Sequence, residues 1–164
     1  MQENFSSENK KEVMPVFLSY NFALLIYGEL AAMRKQFLRF DSSKSQIFFK
    51  GEKRERPNVV MEQDFFSFQD KSEGIATIEN HQIVYKFETP PNEVFDGFLE
   101  EIIDHKDILQ DLPPKSECSI RVFINAQEAQ TDFIFTPSNI NKLSVLNLPC
   151  EISVLSWGEV IDIN

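Results

Sequence analysis

Chemically reactive side chains are scarce in this chain of 164 residues. It has two cysteines, Cys118 and Cys150, and two histidines, His81 and His105. Neither histidine stands in a motif typical of catalysis or metal binding. The chain also contains no phosphate-binding glycine-rich loop, nucleophile elbow, zinc-ligand spacing or kinase signature. We therefore expect a protein without catalytic activity, and we assign it no cofactor and no metal ion.

Long apolar runs are missing as well. The longest, Phe22–Tyr27, is far shorter than the roughly 20 residues that a membrane-spanning helix requires. The polar N-terminus, MQENFSSENKKEV, has no apolar core of the kind that a secretory signal needs. The two well-separated cysteines favour reduced thiols, with a disulfide between strands as the alternative. Together these absences predict a cytoplasmic protein that does not enter a membrane.

The composition is otherwise that of a globular protein, with 42% apolar and 26% charged residues. Sixteen phenylalanines are many for this length and indicate a core of large flat side chains, as in a sheet covered by helices. The length suits one compact domain. We expect a flexible N-terminal arm over residues 1–13 and a single domain over residues 14–164.

Charge is distributed unevenly along the chain, whose formal net charge is −10. Residues 1–56 hold ten basic and seven acidic side chains, a net of +3, whereas residues 57–164 hold six basic and nineteen acidic ones, a net of −13. Such an asymmetry bears on partners and not on the fold. An acidic surface repels nucleic acids and anionic lipids and attracts a cationic protein.

Hydrophobic periodicity predicts strands that interleave with three helices. Short turns between several neighbouring strands favour an antiparallel or mixed sheet over a doubly wound parallel one. The predicted fold is a single-domain α+β sandwich, in which a sheet of about five to seven strands packs with three helices. The pattern leaves the register of residues 57–75 open. Strands are predicted at 20–29, 46–49, 118–126, 132–136 and 150–159, a hairpin at 74–89, and helices at 30–40, 92–106 and 137–147.

Local signals refine three of these segments. Asn92 is the expected N-cap of the acidic helix, and Thr136 followed by Pro137 is an N-cap followed by a proline at the first helical position. The segments 118–126 and 132–136 are expected to form an antiparallel pair, and the hairpin at 74–89 is expected to turn at residues 79–81.

The order of these segments resembles a known bacterial family. The motifs are YNFALLIYGE before a helix, FFKGEKR, VYKFET before an acidic helix, and the closing FIFTPSNINKLSVLNLPCEISVLSWG. Over roughly residues 18–158 they resemble the family catalogued as domain of unknown function 4279. The chain departs from the family at Arg39-Phe40, where the usual pair is Leu-Gly, and residues 57–75 have no counterpart. The resemblance implies an α+β fold and transfers no activity and no site. In bulk properties alone, the chain also resembles immunity proteins of bacterial toxin–immunity systems.

The acidic segment is the strongest candidate for a functional surface. Seven acidic side chains lie between positions 93 and 111, with Lys106 as the one basic residue among them. Six of them are spaced by 3, 4, 4, 3 and 4 residues, so a helix continuing to Asp111 would align them in one stripe. The alternative is a solvated helix face that keeps the protein soluble. The candidate partner-binding residues are Glu93, Asp96, Glu100, Asp104, Asp107 and Asp111, with Glu101 and Glu117 at the rim.

These features lead to one interpretation and two alternatives. We interpret the chain as a non-catalytic immunity protein, favoured as a monomer, that covers the active-site cleft of a cationic toxin, in particular a nuclease. The first alternative is a small-molecule-binding or regulatory domain. The second, which the overall charge disfavours, is a nucleic-acid-binding module that uses the basic region 34–56 and its aromatic residues Phe48 and Phe49.

Overall fold

A computed structural model of the protein describes residues 17–54, 59–80, 82–128 and 131–159. The predicted arm over residues 1–13 and His81 in the predicted hairpin turn lie outside these residues. The described elements, in chain order, are β1 (Phe17–Gly28), a 3₁₀ turn (Ala31–Met33), α1 (Arg34–Phe37), β2 (Ser45–Phe48), β3 (Lys53–Arg54), β4 (Val59–Val60), β5 (Asp64–Glu79), β6 (Gln82–Phe87), α2 (Pro91–Asp104), α3 (Lys106–Gln110), β7 (Glu117–Glu128), α4 (Pro137–Leu146) and β8 (Cys150–Glu159).

Strand β1 is the centre of a six-stranded mixed sheet. It pairs antiparallel with β5 on one side and with β7 on the other, over nearly its full length. The strand order is β2-β5-β1-β7-β8, and β6 also pairs with β5. Strands β7 and β8 are parallel. The connection between them contains α4 and brings the chain back to the end of the sheet at which β7 starts, so β8 runs in the same direction as β7. This arrangement confirms the predicted α+β class.

The main core lies between one face of this sheet and the helices. Phe22 of β1 and Phe68 of β5 are fully buried there, because β1 and β5 direct alternate side chains to the helical side. Phe68 stacks parallel to Phe98 of α2 with ring centroids 5.3 Å apart, and Phe22 lies 4.8 Å from Phe95. The phenylalanine-rich composition is therefore used to fill the space between the sheet and the helices.

The opposite face of the sheet carries a smaller cluster. Ala23 and Leu25 of β1 and Phe65 of β5 are buried in it, and Tyr27 and Phe48 pack against it. The face is therefore covered in part by the chain's own aromatic side chains.

The start of the first helical region is fixed by a buried carboxylate. Asp64, at the first position of β5, accepts hydrogen bonds from the backbone N–H groups of Leu30 at 2.7 Å, Ala31 at 3.0 Å and Lys50 at 2.8 Å. It thereby joins the start of the 3₁₀ turn to the turn after β2. The predicted helix over 30–40 is shorter than expected, since only residues 34–37 are α-helical.

Two further predictions are wrong. Residues 131–136 form no strand with β7. The segment is irregular, because Phe133 and Phe135 pack against Phe95 of α2. Asn92 is also not the N-cap of α2. The cap position is Pro90, and the helix begins at Pro91.

Candidate protein-binding surface

Helix α2 presents its acidic side chains outward because its apolar ones are taken up by the core. Phe95, Phe98, Leu99 and Ile102 are buried against the sheet at helical spacing. Pro91 at the first helical position starts the helix without losing a backbone hydrogen bond. The carboxylates that alternate with the buried residues must therefore face the other way.

The stripe predicted from the sequence is interrupted at His105. Its backbone leaves the α-helical conformation, with φ −113° and ψ 19°, and the separate helix α3 begins after it. The His105 ring stacks on Phe40, with centroids 4.6 Å apart, and its Nδ1 lies 2.8 Å from the carbonyl oxygen of Glu101. The helix breaks at this point because the His105 ring and Ile108 both turn toward the core. Asp104 therefore belongs to α2, and Asp107 and Asp111 follow the break.

Asp96 is bound within the protein. Its carboxylate lies 2.6 Å from the Lys142 ammonium group and accepts hydrogen bonds from Ser138 Oγ at 2.7 Å and Asn139 Nδ2 at 3.1 Å. The pKa of Asp96 is lowered, mainly by the hydrogen bond from Lys142 and next by the one from Ser138. Glu100 shares the same ammonium group at 3.4 Å. Asp96 therefore joins α2 to α4.

Asp107 is also paired. The Arg39 guanidinium contacts both of its carboxylate oxygens, at 2.5 and 3.3 Å, and this hydrogen bonding lowers the pKa of Asp107. Glu101 accepts a hydrogen bond from the backbone N–H of Asp41 at 3.2 Å. Both residues connect α2 and α3 to the segment that follows α1, so part of the acidic segment stabilises the fold.

The remaining acidic residues of the segment are exposed. Glu93, Asp104 and Asp111 have no ionic partner within the described ranges. Glu100 is two-thirds exposed beside Lys142, a cation that it shares with Asp96. These four residues form the acidic surface of this protein, a name used below for this set alone.

Glu117 does not belong to the acidic surface. It lies on β7 directly opposite Tyr27 of β1, so both side chains share the sheet face that points away from the helices. Sequence spacing placed Glu117 close to Asp111, but the turn through Pro113 and Pro114 carries the chain to the other face. Its proposed role at the rim would require a partner that reaches around this end of the sheet.

Beside Glu93 lies a groove that the sequence did not predict. It has a volume of about 700 Å³ and runs between β5, β6 and the first half of α2. Lys44, Lys71 and Lys86 line it together with acidic residues, and Gly97 leaves its helical wall low. All three lysines are paired: Lys44 with Asp70 at 2.8 Å, Lys71 with Glu73 at 2.9 Å and Lys86 with Glu79 at 2.5 Å. The groove combines side chains of β5, β6 and α2 with Lys44, so no pattern within a single element predicts it.

The basic region has its aromatic residues occupied. The Arg34 guanidinium lies over the Phe49 ring, 5.4 Å from its centroid, and Phe48 packs against the smaller cluster on the sheet. Stacking on bases requires exposed rings. Arg56 of this region lies outside the described residues. The geometry of the described part therefore gives no support to base stacking.

Comparisons with known proteins identify no relative. No family model, no curated protein and no solved structure matches the chain. Among the described residues, no helix combines the length and the hydrophobicity that crossing a bilayer requires.

Proposed function

We propose that the protein is a non-catalytic binding protein whose acidic surface docks onto a cationic protein. The observation that carries this proposal is the charge balance of α2, α3 and α4. Over residues 91–111 and 137–146, seven acidic side chains stand against only two basic ones, Lys106 and Lys142. Since Lys142 is already engaged by Asp96 and Glu100, the acidic surface keeps most of its negative charge for a partner.

The spacing of this charge suits a partner that binds phosphates. Along α2, Glu93 and Glu100 are separated by about 10 Å and Glu100 and Asp104 by about 6 Å, at roughly 1.5 Å per residue. A row of carboxylates at such intervals can mimic the phosphates of a nucleic acid and occupy the lysines and arginines of a nuclease cleft. In this proposal the protein acts in the cytoplasm of a bacterium as the immunity protein of a nuclease toxin. Charge complementarity of this kind raises association rates, up to about 10⁸ M⁻¹ s⁻¹ at low salt.

The proposal is tested with a charge-matched pair of variants. Glu93→Gln/Asp104→Asn removes two charges from the acidic surface without touching an internal ion pair. Glu29→Gln/Glu62→Gln removes two exposed charges that are not part of the acidic surface. Glu29 follows β1 and Glu62 precedes β5. Both variants have the same net charge, so a difference between them reports the location of binding and not the overall charge. Reversal of Glu100, Asp104 and Asp107 to lysine is a harsher test, because the change at Asp107 also breaks its pairing with Arg39.

The partner is found by affinity capture from the native host's lysate at low salt, followed by elution with a salt gradient and mass spectrometry. We expect a basic protein, retained in a stoichiometric amount, whose nuclease activity falls when the protein is added back. Affinity should drop at least tenfold in Glu93→Gln/Asp104→Asn and stay within twofold of the original in the Glu29/Glu62 control. Equal affinities of the two variants would refute the assignment of the surface.

The mixed-charge groove supports one other function, binding of a small zwitterionic ligand. Its lysines and carboxylates alternate around an open volume, which is the arrangement that a molecule with both charges would require. A thermal-shift screen with amino acids and related zwitterions tests it: a shift that Lys71→Ala abolishes would favour the regulatory-domain alternative. We rank it second, because all three lysines are already paired.

A further inference from the structure

Strand β8 is an edge strand with apolar side chains that nothing in the described chain covers. Its only sheet neighbour there is β7, and its side chains from residue 151 to residue 156 are all exposed. Ile152 and Val154 lie on the helical face next to Val122 and Ile124 of β7, which are buried. One strand further out, Ile152 is 51% and Val154 is 57% exposed, because the helical layer stops before β8.

Exposed apolar side chains are concentrated in the last part of the described chain. Among the described residues, six of eleven large exposed apolar side chains fall in the segment that leads through α4 to β8. Isolated exposed apolar residues are normal, whereas neighbouring ones, such as Ile152 and Val154 on one face of β8, mark a contact surface. The six are Ile134, Ile140, Val145, Ile152, Val154 and Leu155.

The edge itself lacks the usual protection against pairing. Edge strands are commonly short, or carry lysine, proline or inward-pointing charges. At the opposite edge both strands are short, with four residues in β2 and six in β6. In contrast, β8 has ten residues, and its only charged side chain between 150 and 156, Glu151, is neutralised by Arg121 of β7 at 3.0 Å.

The backbone of β8 is aligned for another strand. The N–H of Ile120 donates to the carbonyl oxygen of Pro149 at 2.8 Å, which fixes the phase of the ladder between β7 and β8. In such a ladder, residues whose polar groups point to one neighbour alternate with residues whose groups point to the other side. The N–H and C=O groups of Ile152 and Val154 therefore point to the open edge.

We propose that β8 pairs antiparallel with β8 of a second copy of this chain, about a two-fold axis at Ser153. In this register Ile152 of each copy lies opposite Val154 of the other copy. Both residues lie on the helical face of the joined sheet. The same register places Glu151 opposite Leu155, whereas an axis at Leu155 would place Glu151 opposite Glu159. The pairing is closed by symmetry and joins two sheets into one of twelve strands.

The acidic charge of the protein does not oppose this pairing. Helix α2 packs over β5 and β1, and β1 is two strands away from β8. At about 4.8 Å per strand, the two copies of β1 would lie about 24 Å apart across the interface. This distance exceeds two Debye lengths at physiological salt, about 8 Å each, so repulsion between the acidic surfaces is screened. The inference revises the expectation of a monomer and does not depend on the proposed function.

The test measures mass in solution by sedimentation and light scattering, from low-micromolar to near-millimolar protein. We expect the native chain to approach twice its 19.0 kDa mass as concentration rises. Val154→Lys should sediment as a monomer, because it places lysines in the apolar centre of the interface. Ile75→Lys, the same change at a 74% exposed position of β5, should leave the dimer intact. A native chain that stays monomeric throughout, or a dimer that survives Val154→Lys, would overturn the proposal.

A cross-link tests the register without disturbing the apolar residues, and decides the matter if Val154→Lys proves unfolded by circular dichroism. In the Cys150→Ser background, Ser153→Cys brings two thiols together on adjacent strands, where Cα atoms lie about 4.5–5.5 Å apart. That distance suits a disulfide. Mild oxidation should give a covalent dimer with Ser153→Cys and none with Ile75→Cys in the same background. Failure of Ser153→Cys to cross-link would rule out the proposed pairing.

Discussion

Replacing the buried Asn139 by alanine should lower the free energy of unfolding by about 3 kcal/mol. The side chain is fully buried at the start of α4 and makes three hydrogen bonds. Its Oδ1 accepts from the N–H of Thr136 at 3.0 Å, and its Nδ2 donates to the carbonyl oxygen of Asn92 at 3.3 Å and to Asp96 Oδ1 at 3.1 Å. It completes a capping box with Thr136 and also joins α4 to α2.

The magnitude follows from these contacts. Each of the two bonds to neutral groups contributes about 1 kcal/mol net, and the bond to a carboxylate contributes about 1.5–3 kcal/mol. Alanine regains about half a kcal/mol through its higher helix propensity. The sum is a loss of about 3–4.5 kcal/mol. We expect the lower end, because Asp96 keeps its hydrogen bonds with Lys142 and Ser138, and about 3 kcal/mol is already a large part of the stability of a small domain.

Urea denaturation followed by circular dichroism measures this loss, with Asn141→Ala as the control. Asn141 is exposed on the same helix, so its replacement should change stability by only about half a kcal/mol, in the stabilising direction. If the two alanine variants differed by less than about 0.5 kcal/mol, the hydrogen bonds of Asn139 would not stabilise the fold as argued.

A second substitution separates hydrogen bonding from packing. Asn139→Asp keeps the size of the side chain but places a second carboxylate beside Asp96. Since like charges at this distance disfavour ionisation, the destabilisation should shrink as pH falls and one carboxylate takes up a proton. A loss of stability that is independent of pH would contradict this account.

Three further outcomes are expected. Asp64→Ala should destabilise the protein by at least about 3 kcal/mol in the same denaturation assay, because three backbone N–H groups lose a charged acceptor; a change below about 1 kcal/mol would refute that role. The pKa of Asp96 is lowered in the folded state by Lys142, so the pair stabilises the fold above the ordinary aspartate pKa of 3.8, and this contribution is lost as pH falls through the lowered pKa. Between about pH 5 and pH 2, stability should therefore fall less steeply in Asp96→Asn than in the native chain, and equal slopes would contradict the pairing. Burial raises the pKa of Cys118 to about 12, so in a thiol-labelling time course it should react only on unfolding, whereas the exposed Cys150 should react in the folded protein; comparable rates for the two would show that Cys118 is accessible.

Local patterns were sufficient where an element depends on its own residues. The predicted strand at 20–29 corresponds to β1, because a run of apolar side chains is what a central strand buried on both faces requires. The hairpin of β5 and β6 and the Thr136 cap of α4 are likewise confirmed. Each of these features is encoded within one short continuous segment of the chain.

The same reasoning failed where distant segments decide. The segment DFIFT has the alternation of a strand, with Ile134 outward and Phe133 and Phe135 inward, but its inward rings pack against a helix and it forms no strand. The parallel pairing of β7 and β8 depends on the path of the chain through α4 and not on the pattern of either strand.

The candidate site shows the same division. Spacing alone indicated which carboxylates of α2 point outward, and Glu93, Glu100 and Asp104 are indeed exposed. Spacing could not show that Asp96 meets Lys142 or that Asp107 meets Arg39, since these pairs are 46 and 68 residues apart in sequence. It also could not reveal the groove beside Glu93, whose walls come from three separate elements.

The most direct test of the account compares the affinity of the captured partner for Glu93→Gln/Asp104→Asn and for the charge-matched Glu29→Gln/Glu62→Gln at several salt concentrations. The account predicts that the first variant binds at least tenfold more weakly and has a shallower salt dependence, while the control binds like the native chain. Equal affinity and equal salt dependence in the two variants would contradict the claim that the acidic surface is the binding surface.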